Sequence, residues 1–126
     1  MSKKKKVLLV EDDVFIGEMV ANRIIARGME LIRITTGDKV LPAMLRSLPD
    51  LVILDIFLPN LNGIEVLRAI RNNNVTKKVP VLVVTNTDQA KDRESVKELG
   101  AEFLSKSLTT PTKIVTHAEN MLKLSR

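Results

Sequence analysis

Three carboxylates (Glu11, Asp12 and Asp55), the hydroxyl of Thr85 and the amine of Lys106 are the side chains here whose types could do chemistry together. Each closes a short apolar run: Val7 to Val10 leads into Glu11 and Asp12, Leu51 to Leu54 into Asp55, Val81 to Val84 into Thr85, and Phe103 to Ser105 into Lys106. Carboxylates gathered in one pocket repel by about 1 kcal/mol per pair at 4 Å in water and about 4 kcal/mol at an effective dielectric of 20, so a cation is expected among them. Oxygen ligands without His or Cys favour a hard ion, and Mg²⁺, which keeps several waters, suits one or two direct carboxylates better than Ca²⁺ does. Lys106 is wrong for a simple metal cage but right for an arriving phosphoryl group. A carboxylate can attack phosphorus to form an acyl phosphate. Mg²⁺, the Lys106 ammonium and the Thr85 hydroxyl would then each meet one phosphoryl oxygen. Asp55 is the expected nucleophile because it stands alone at the end of its run, whereas the adjacent Glu11 and Asp12 fit a metal-holding pair.

These groups can meet only if the runs are buried parallel strands whose carboxyl ends share one rim. Between the runs the sequence reads as helices. Val14 to Arg27 carries Ile16, Met19, Val20 and Ile24 at helical spacing, with Gly28 placed to cap its end. Leu31 to Ile34 is a further short strand. A second helix follows Gly37 and Asp38 with Val40, Leu41, Met44, Leu45 and Leu48 inward, provided Pro42 lies in its first turn. Pro59, Asn60, Asn62 and Gly63 form a turn cluster before a helix over Ile64 to Arg71. The stretch from about Asp88 to Leu99 has only Ala90, Val96 and Leu99 to bury, so this helix is expected to be loosely held. Thr110 and Pro111 open a last helix with the stripe Ile114, Ala118, Met121 and Leu122.

Five strands alternating with five helices predict an α/β fold, a parallel sheet with helices on both faces. Arg33 in the second strand and Glu102 at the start of the fifth mark edges, and the continuously apolar runs mark the centre, which gives the order 2-1-3-4-5. In that order the connections reverse direction between the first and third strands, where Glu11, Asp12 and Asp55 end.

With 126 residues, 44% of them hydrophobic, the chain fits one domain over 1–126. It has no cysteine, which excludes a disulfide framework or a thiolate metal site and agrees with a cytoplasmic location. The apolar stretch after Lys3 to Lys6 is too short for a secretory signal, and no segment could cross a membrane. A net charge of +5 and a pI near 9.7 invite a nucleic-acid reading. Four of the lysines sit at the start, however, and the only aromatic residues are three Phe. A flexible basic start over residues 1–6, with no direct nucleic-acid binding, is therefore the expectation.

The run Leu9-Val10-Glu11-Asp12-Asp13, the block Asp50 to Asp55 followed by Pro59 and Gly63, Thr85 at a strand end, and Gly100-Ala101 before Lys106 resemble the receiver domain of two-component response regulators. The similarity spans nearly the whole chain. It implies the flavodoxin-like strand order, and phosphotransfer to Asp55 from a histidine kinase or phosphotransfer protein with Mg²⁺ bound, in a switch rather than a turnover enzyme. It also implies Glu11 and Asp12 as the acid pair, the Phe57 backbone carbonyl as a further metal ligand beside Asp12 and Asp55, and Thr85 and Phe103 as switch residues. The face of the fourth helix, fifth strand and fifth helix would bind a downstream protein. Asn86 stands where the family usually has Ala, Ser107 where it usually has Pro, and the Gly100 to Lys106 stretch is one residue short. Without proline the Lys106–Ser107 peptide is expected trans.

Plainer readings stand beside these. Asp13 is expected to cap the first helix, Phe103 could be ordinary core, and His117 lies away from the pocket acids. One rival function is a pseudo-receiver that binds partners without phosphate. Another is a Mg²⁺-dependent phosphatase of the haloacid dehalogenase type, which needs a second Asp where this chain has Phe57.

Overall fold

The apolar runs become strands in a computed structural model that describes residues 4–124: β1 (Lys6–Val10), β2 (Glu30–Ile34), β3 (Leu51–Leu54), β4 (Val81–Thr85) and β5 (Glu102–Ser105). Helices α1 (Val14–Ala26), α2 (Val40–Ser47), α3 (Gly63–Asn72), α4 (Ala90–Glu98) and α5 (Pro111–Leu124) alternate with them, and 3₁₀ turns cover Gly37–Lys39 and Lys106–Leu108. All strand pairs are parallel, in the order β2-β1-β3-β4-β5, as the sequence pattern requires. Every residue of β3 and β4 is buried, while β2 and β5 at the edges are only partly so.

Because side chains alternate across a strand, the sheet supplies two cores. Val7, Leu9, Leu51, Ile53, Leu82 and Val84 face α1 and α5. Leu8, Val10, Val52, Leu54, Val81 and Val83 face α2, α3 and α4. Each fully buried Leu, Ile or Val contributes roughly 1.5–3 kcal/mol relative to exposure, an upper estimate because the unfolded chain is already partly compact. Among the described residues no helix is long and apolar enough to cross a membrane.

Several boundaries differ from the sequence reading. Helix α1 ends at Ala26 and Arg27 is its cap; Gly28, at φ +81°, sends its N–H to the Ile25 carbonyl while Met29 reaches back to that of Ile24. That is the left-handed closure for which glycine has the least strain. Leu45 and Leu48 are exposed. Val40, Ala43 and Met44 already occupy the inward stripe of α2, and Leu48 ends the helix in the left-handed region. Pro42 falls in the first turn and so breaks no helical bond. Ala90 is exposed because it opens α4; only Val96 of that helix is buried, and Leu99 just beyond it is half-buried. Thr110 caps α5 through its hydroxyl, which accepts from the Lys113 N–H at 3.2 Å.

The basic start is shorter than expected. Lys6 already belongs to β1, its N–H donating to Asp50 Oδ2 and its ammonium to the Ser47 carbonyl, each at 2.8 Å. Residues 1–3 lie outside the described residues.

Arg71, near the end of α3, has no role in the sequence reading. Its guanidinium donates to the carbonyls of Leu99 at 2.6 Å, Val79 at 2.7 Å, Lys77 at 3.1 Å and Gly100 at 3.3 Å. It thereby fastens the loop before β4 and the end of α4 to α3. Burial pulls its pKa down.

Candidate functional site

The carboxyl rim is built by the sheet running slightly past its strands. The Glu11 N–H donates to the Ile34 carbonyl and the Asp55 N–H to the Val10 carbonyl, both at 3.1 Å, so the ladder still fixes the backbone under each acid. Asp13 caps α1 as expected, its Oδ1 accepting from the Ile16 N–H at 3.0 Å, and its own N–H donates to Glu11 Oε2 at 3.1 Å. Oxygens of Glu11, Asp12 and Asp55 lie within 4.8 Å of one another. Glu11 and Asp55 are buried, at 6% and 3% exposure, which demands partners for their charges. Asp12 is open to solvent.

Lys106 supplies the main partner. Its Nζ donates to Asp55 Oδ2 at 2.7 Å and to Glu11 Oε1 at 2.8 Å. Burial raises the Glu11 pKa against the opposing pull of the Lys106 and Asp13 hydrogen bonds. Burial alone would lower the Lys106 pKa, but the bonds to Asp55 and Glu11 and the charge of both outweigh it, so the net shift is upward. The ammonium therefore stays a cation where it stands. With all four groups ionised the pocket still carries two net negative charges, and its donors are oxygens only. A hard divalent ion fits that set.

Phe57 contributes in two ways. Its N–H donates to the second Asp55 oxygen, Oδ1, at 3.1 Å, and the residue is 54% exposed. Both oxygens of Asp55 are thus held in place before any ligand arrives. Thr85, fully buried at the end of β4, is opposite Ser105 in the register of β5. Its hydroxyl has no hydrogen-bond partner among the described residues. A buried hydroxyl left in that state costs about 1–3 kcal/mol, which suits a group waiting for an acceptor.

The sequence-derived set therefore converges in part by direct contact and in part by register. Glu11, Asp12, Asp55 and Lys106 form one cluster, with Thr85 ending the adjacent strand. Phe103 sits apart on β5, half-buried against the core that faces α2, α3 and α4. It also lines a groove with Arg93, Leu108 and Lys113 between α4 and α5. His117 pairs with Glu102 at 2.6 Å, outside the pocket. All peptide bonds among the described residues are trans, including Lys106–Ser107.

Two features were invisible as site elements in the sequence. Gly63 looks like a turn residue there, yet its N–H donates to the Ile56 carbonyl at 2.7 Å, and a Cβ on it would stand 2.3 Å from the Asp55 carbonyl oxygen. Its missing side chain is what lets α3 start against the segment that carries Asp55. The other is a hydrogen bond from the Ser107 N–H to Asn86 Oδ1 at 2.9 Å. The only sequence signal for it was that both residues depart from the family pattern.

Comparison with known proteins agrees with this geometry. The family described as response regulator receiver domain matches residues 7–119. A polar-differentiation response regulator, DivK, of Brucella anthropi is 32% identical over 113 residues, covering 89% of this chain and 92% of its own length. Among solved structures, a putative response regulator from Chloroflexus aurantiacus superposes with a TM-score of 0.86 at 29% identity, over 96% of this chain and 99% of that one. The chemotaxis response regulator CheY4 of Vibrio cholerae does so with a TM-score of 0.84 at 25% identity, over 94% and 98%. The acid cluster at the switch point of a 2-1-3-4-5 sheet and a family match across most of its length lead to one conclusion: this chain belongs to the response regulator receiver domain family.

Proposed function

We propose that this chain is a phosphorylation switch of a two-component system, in which Asp55 accepts a phosphoryl group from a histidine kinase or phosphotransfer protein. The observation that carries the reading is the Lys106 ammonium on Asp55 Oδ2, beside a buried Thr85 hydroxyl with no partner among the described residues. An Asp55 carboxylate oxygen attacks phosphorus, the P–N bond of the donor phosphohistidine breaks, and the imidazole nitrogen leaves with the electron pair and takes up a proton. Lys106 then holds one phosphoryl oxygen and the Thr85 hydroxyl donates to another. Asp12, Asp55 and the Phe57 carbonyl would hold Mg²⁺ with Glu11 beside them, and the ion, when bound, offsets charge on the phosphoryl oxygens. The chain's own part is to hold the nucleophile rigidly, through the Phe57 N–H and Lys106, so that little reorganisation is needed.

Thr85 and Phe103 would pass the change to a protein partner on the α4, β5 and α5 face. Moving a switch from 1:99 to 99:1 requires about 5.5 kcal/mol of differential interaction, and a phosphoryl group with several charge-assisted bonds can supply a large part of that.

Treatment with acetyl phosphate and Mg²⁺, followed by intact mass over time, tests the reading. One stable phosphate per chain is expected. Rapid turnover with no retained phosphate would favour the phosphatase alternative, and absence of any reaction would favour a pseudo-receiver.

Two further results are expected. Asp12→Asn should weaken Mg²⁺ binding more than Glu11→Gln, since Asp12 is the solvent-exposed acid of the cluster while Glu11 is committed to Lys106 and the Asp13 N–H; Mg²⁺ titration showing equal losses would reject this. Phe57→Asn should shorten the life of the acyl phosphate several-fold, because an exposed apolar ring two residues from Asp55 gives way to a group that can hydrogen-bond attacking water. The decay of phosphorylated protein after donor removal measures it, and an unchanged or slower rate counts against it.

A further inference from the structure

Asn86 and Ser107, the two residues that depart from the family pattern, are 21 positions apart and hydrogen-bond to each other: the Ser107 N–H donates to Asn86 Oδ1 at 2.9 Å. Asn86 directly follows Thr85, and Ser107 directly follows Lys106. The bond thus joins the immediate neighbours of the two side chains proposed to read the phosphoryl oxygens. Proline at 107 would have no N–H to give, and alanine at 86 would have no side-chain acceptor. Donor and acceptor make sense only as a pair.

The loop that carries Lys106 needs such a tie. Lys106 opens a single 3₁₀ turn after the edge strand β5, and both Ser107 and Leu108 are exposed. Without the ring of a proline, the Lys106–Ser107 segment has the ordinary freedom of a short surface turn. Local support comes from the Ser105 and Ser107 hydroxyls, 3.1 Å apart, but these belong to the same loop and anchor it to nothing else. Among the described residues, the bond to Asn86 is the one hydrogen bond to a side chain by which Ser107 reaches the loop of the neighbouring strand, the segment that follows Thr85.

We propose that Asn86 is a positioning residue for Lys106: its side chain ties the β5 loop to the end of β4 and so sets where the ammonium stands against Asp55. The consequence for phosphate uptake rests on the phosphoacceptor reading; the tie itself rests on the hydrogen bond. A solvent-exposed hydrogen bond of this kind corresponds to about a two- to tenfold effect.

The test uses the full chain and two readouts. In native-state amide exchange, Ser107 should exchange about two- to tenfold faster in Asn86→Ala than in the wild type, and Asn86→Asp, which keeps an acceptor oxygen, should restore the protection. In phosphorylation by phosphoramidate with Mg²⁺, Asn86→Ala should slow labelling at Asp55 by about two- to tenfold, and Asn86→Asp should recover most of the rate at high salt, where its added charge is screened. Ser107→Pro removes the donor, so adding Asn86→Ala to it should change nothing further, the non-additivity expected of two residues that act through one shared bond. Unchanged exchange in Asn86→Ala, additive effects of the two substitutions, or an Asn86→Asp variant as slow as Asn86→Ala would each overturn the proposal. A wild type that takes no phosphate would remove the phosphoacceptor reading and the positioning role with it. A wild type that is labelled, with Asn86→Ala labelled equally fast, removes the positioning role alone.

Discussion

Asp55→Asn is expected to abolish phosphate uptake, with labelling by acetyl phosphate falling on the order of a thousandfold or more, as when a nucleophile is deleted. Asp55 has its two oxygens oriented by separate groups, the Phe57 N–H on Oδ1 and the Lys106 ammonium on Oδ2, and it stands alone at the end of the central strand β3. Glu11 is likewise held on both oxygens, by Lys106 and the Asp13 N–H, but its neighbour in sequence is a second acid with which it fits a metal-holding pair, and Asp12 has no hydrogen-bond partner among the described residues that would aim it. The substitution keeps the shape of the side chain. The amide oxygen can still accept from Phe57, whereas an amide NH₂ turned toward Lys106 would place two donors face to face, so the ammonium should shift its bonding to Glu11. The fold should survive, because the Asp55 N–H to Val10 bond is a backbone contact. Intact mass should show one added phosphate in the wild type and none in the variant, with matching circular dichroism. Phosphate that persists in Asp55→Asn would sink the assignment.

Gly63→Ala is expected to cost stability and phosphorylation together. The new methyl would meet the Asp55 carbonyl oxygen at 2.3 Å and the Ile56 Cα at 2.5 Å, both backbone atoms that cannot rotate away. Either α3 backs off and weakens its Gly63 to Ile56 hydrogen bond, or the acceptor segment moves. Overpacking of this kind costs about 1–3 kcal/mol, occasionally more. For a domain of this size that corresponds to a fall in melting temperature of roughly 3–15 °C. The rate of labelling at Asp55 should also drop several-fold. A variant that matches the wild type in both measurements would show that the start of α3 can slide freely over the acceptor.

Much of this site is legible in the sequence because it depends on strands. An apolar run that ends abruptly at an acid gives both the burial of the strand and the position of its carboxyl end, so Glu11, Asp12, Asp55, Thr85 and Lys106 come out in the right places. Helix detail is less legible. Leu45 and Leu48 are as apolar as Met44, but Leu45 falls outside the Val40, Ala43 and Met44 stripe of α2 and Leu48 ends the helix in the left-handed region, so both face water. Contacts made by missing or backbone atoms are hidden altogether. Nothing in the letters around Gly63 tells that a Cβ there would collide with Asp55, and among the described residues Arg71 has no acidic partner to reveal it, its hydrogen bonds all going to carbonyls. The sequence offers Lys106 as a candidate ligand for a phosphoryl group but gives no sign that it is the cation already shared by Glu11 and Asp55.

The carbonyl-bound Arg71 also decides what kind of movement is open to α4. Its guanidinium grips Leu99 and Gly100, just beyond the last residue of that helix, while the opposite end is held by the Thr87 hydroxyl on Asp92, a bond within the same segment that travels with it. A rod pinned at one end pivots and does not slide. Over the nine residues of α4, about 13 Å at 1.5 Å per residue, a tilt of ~10° moves the free end by roughly 2 Å and the pinned end hardly at all. The free end is the one that follows Thr85. Were α4 to tilt, Arg71 would serve as the fulcrum, and the lever arm would be longest at the end that follows Thr85.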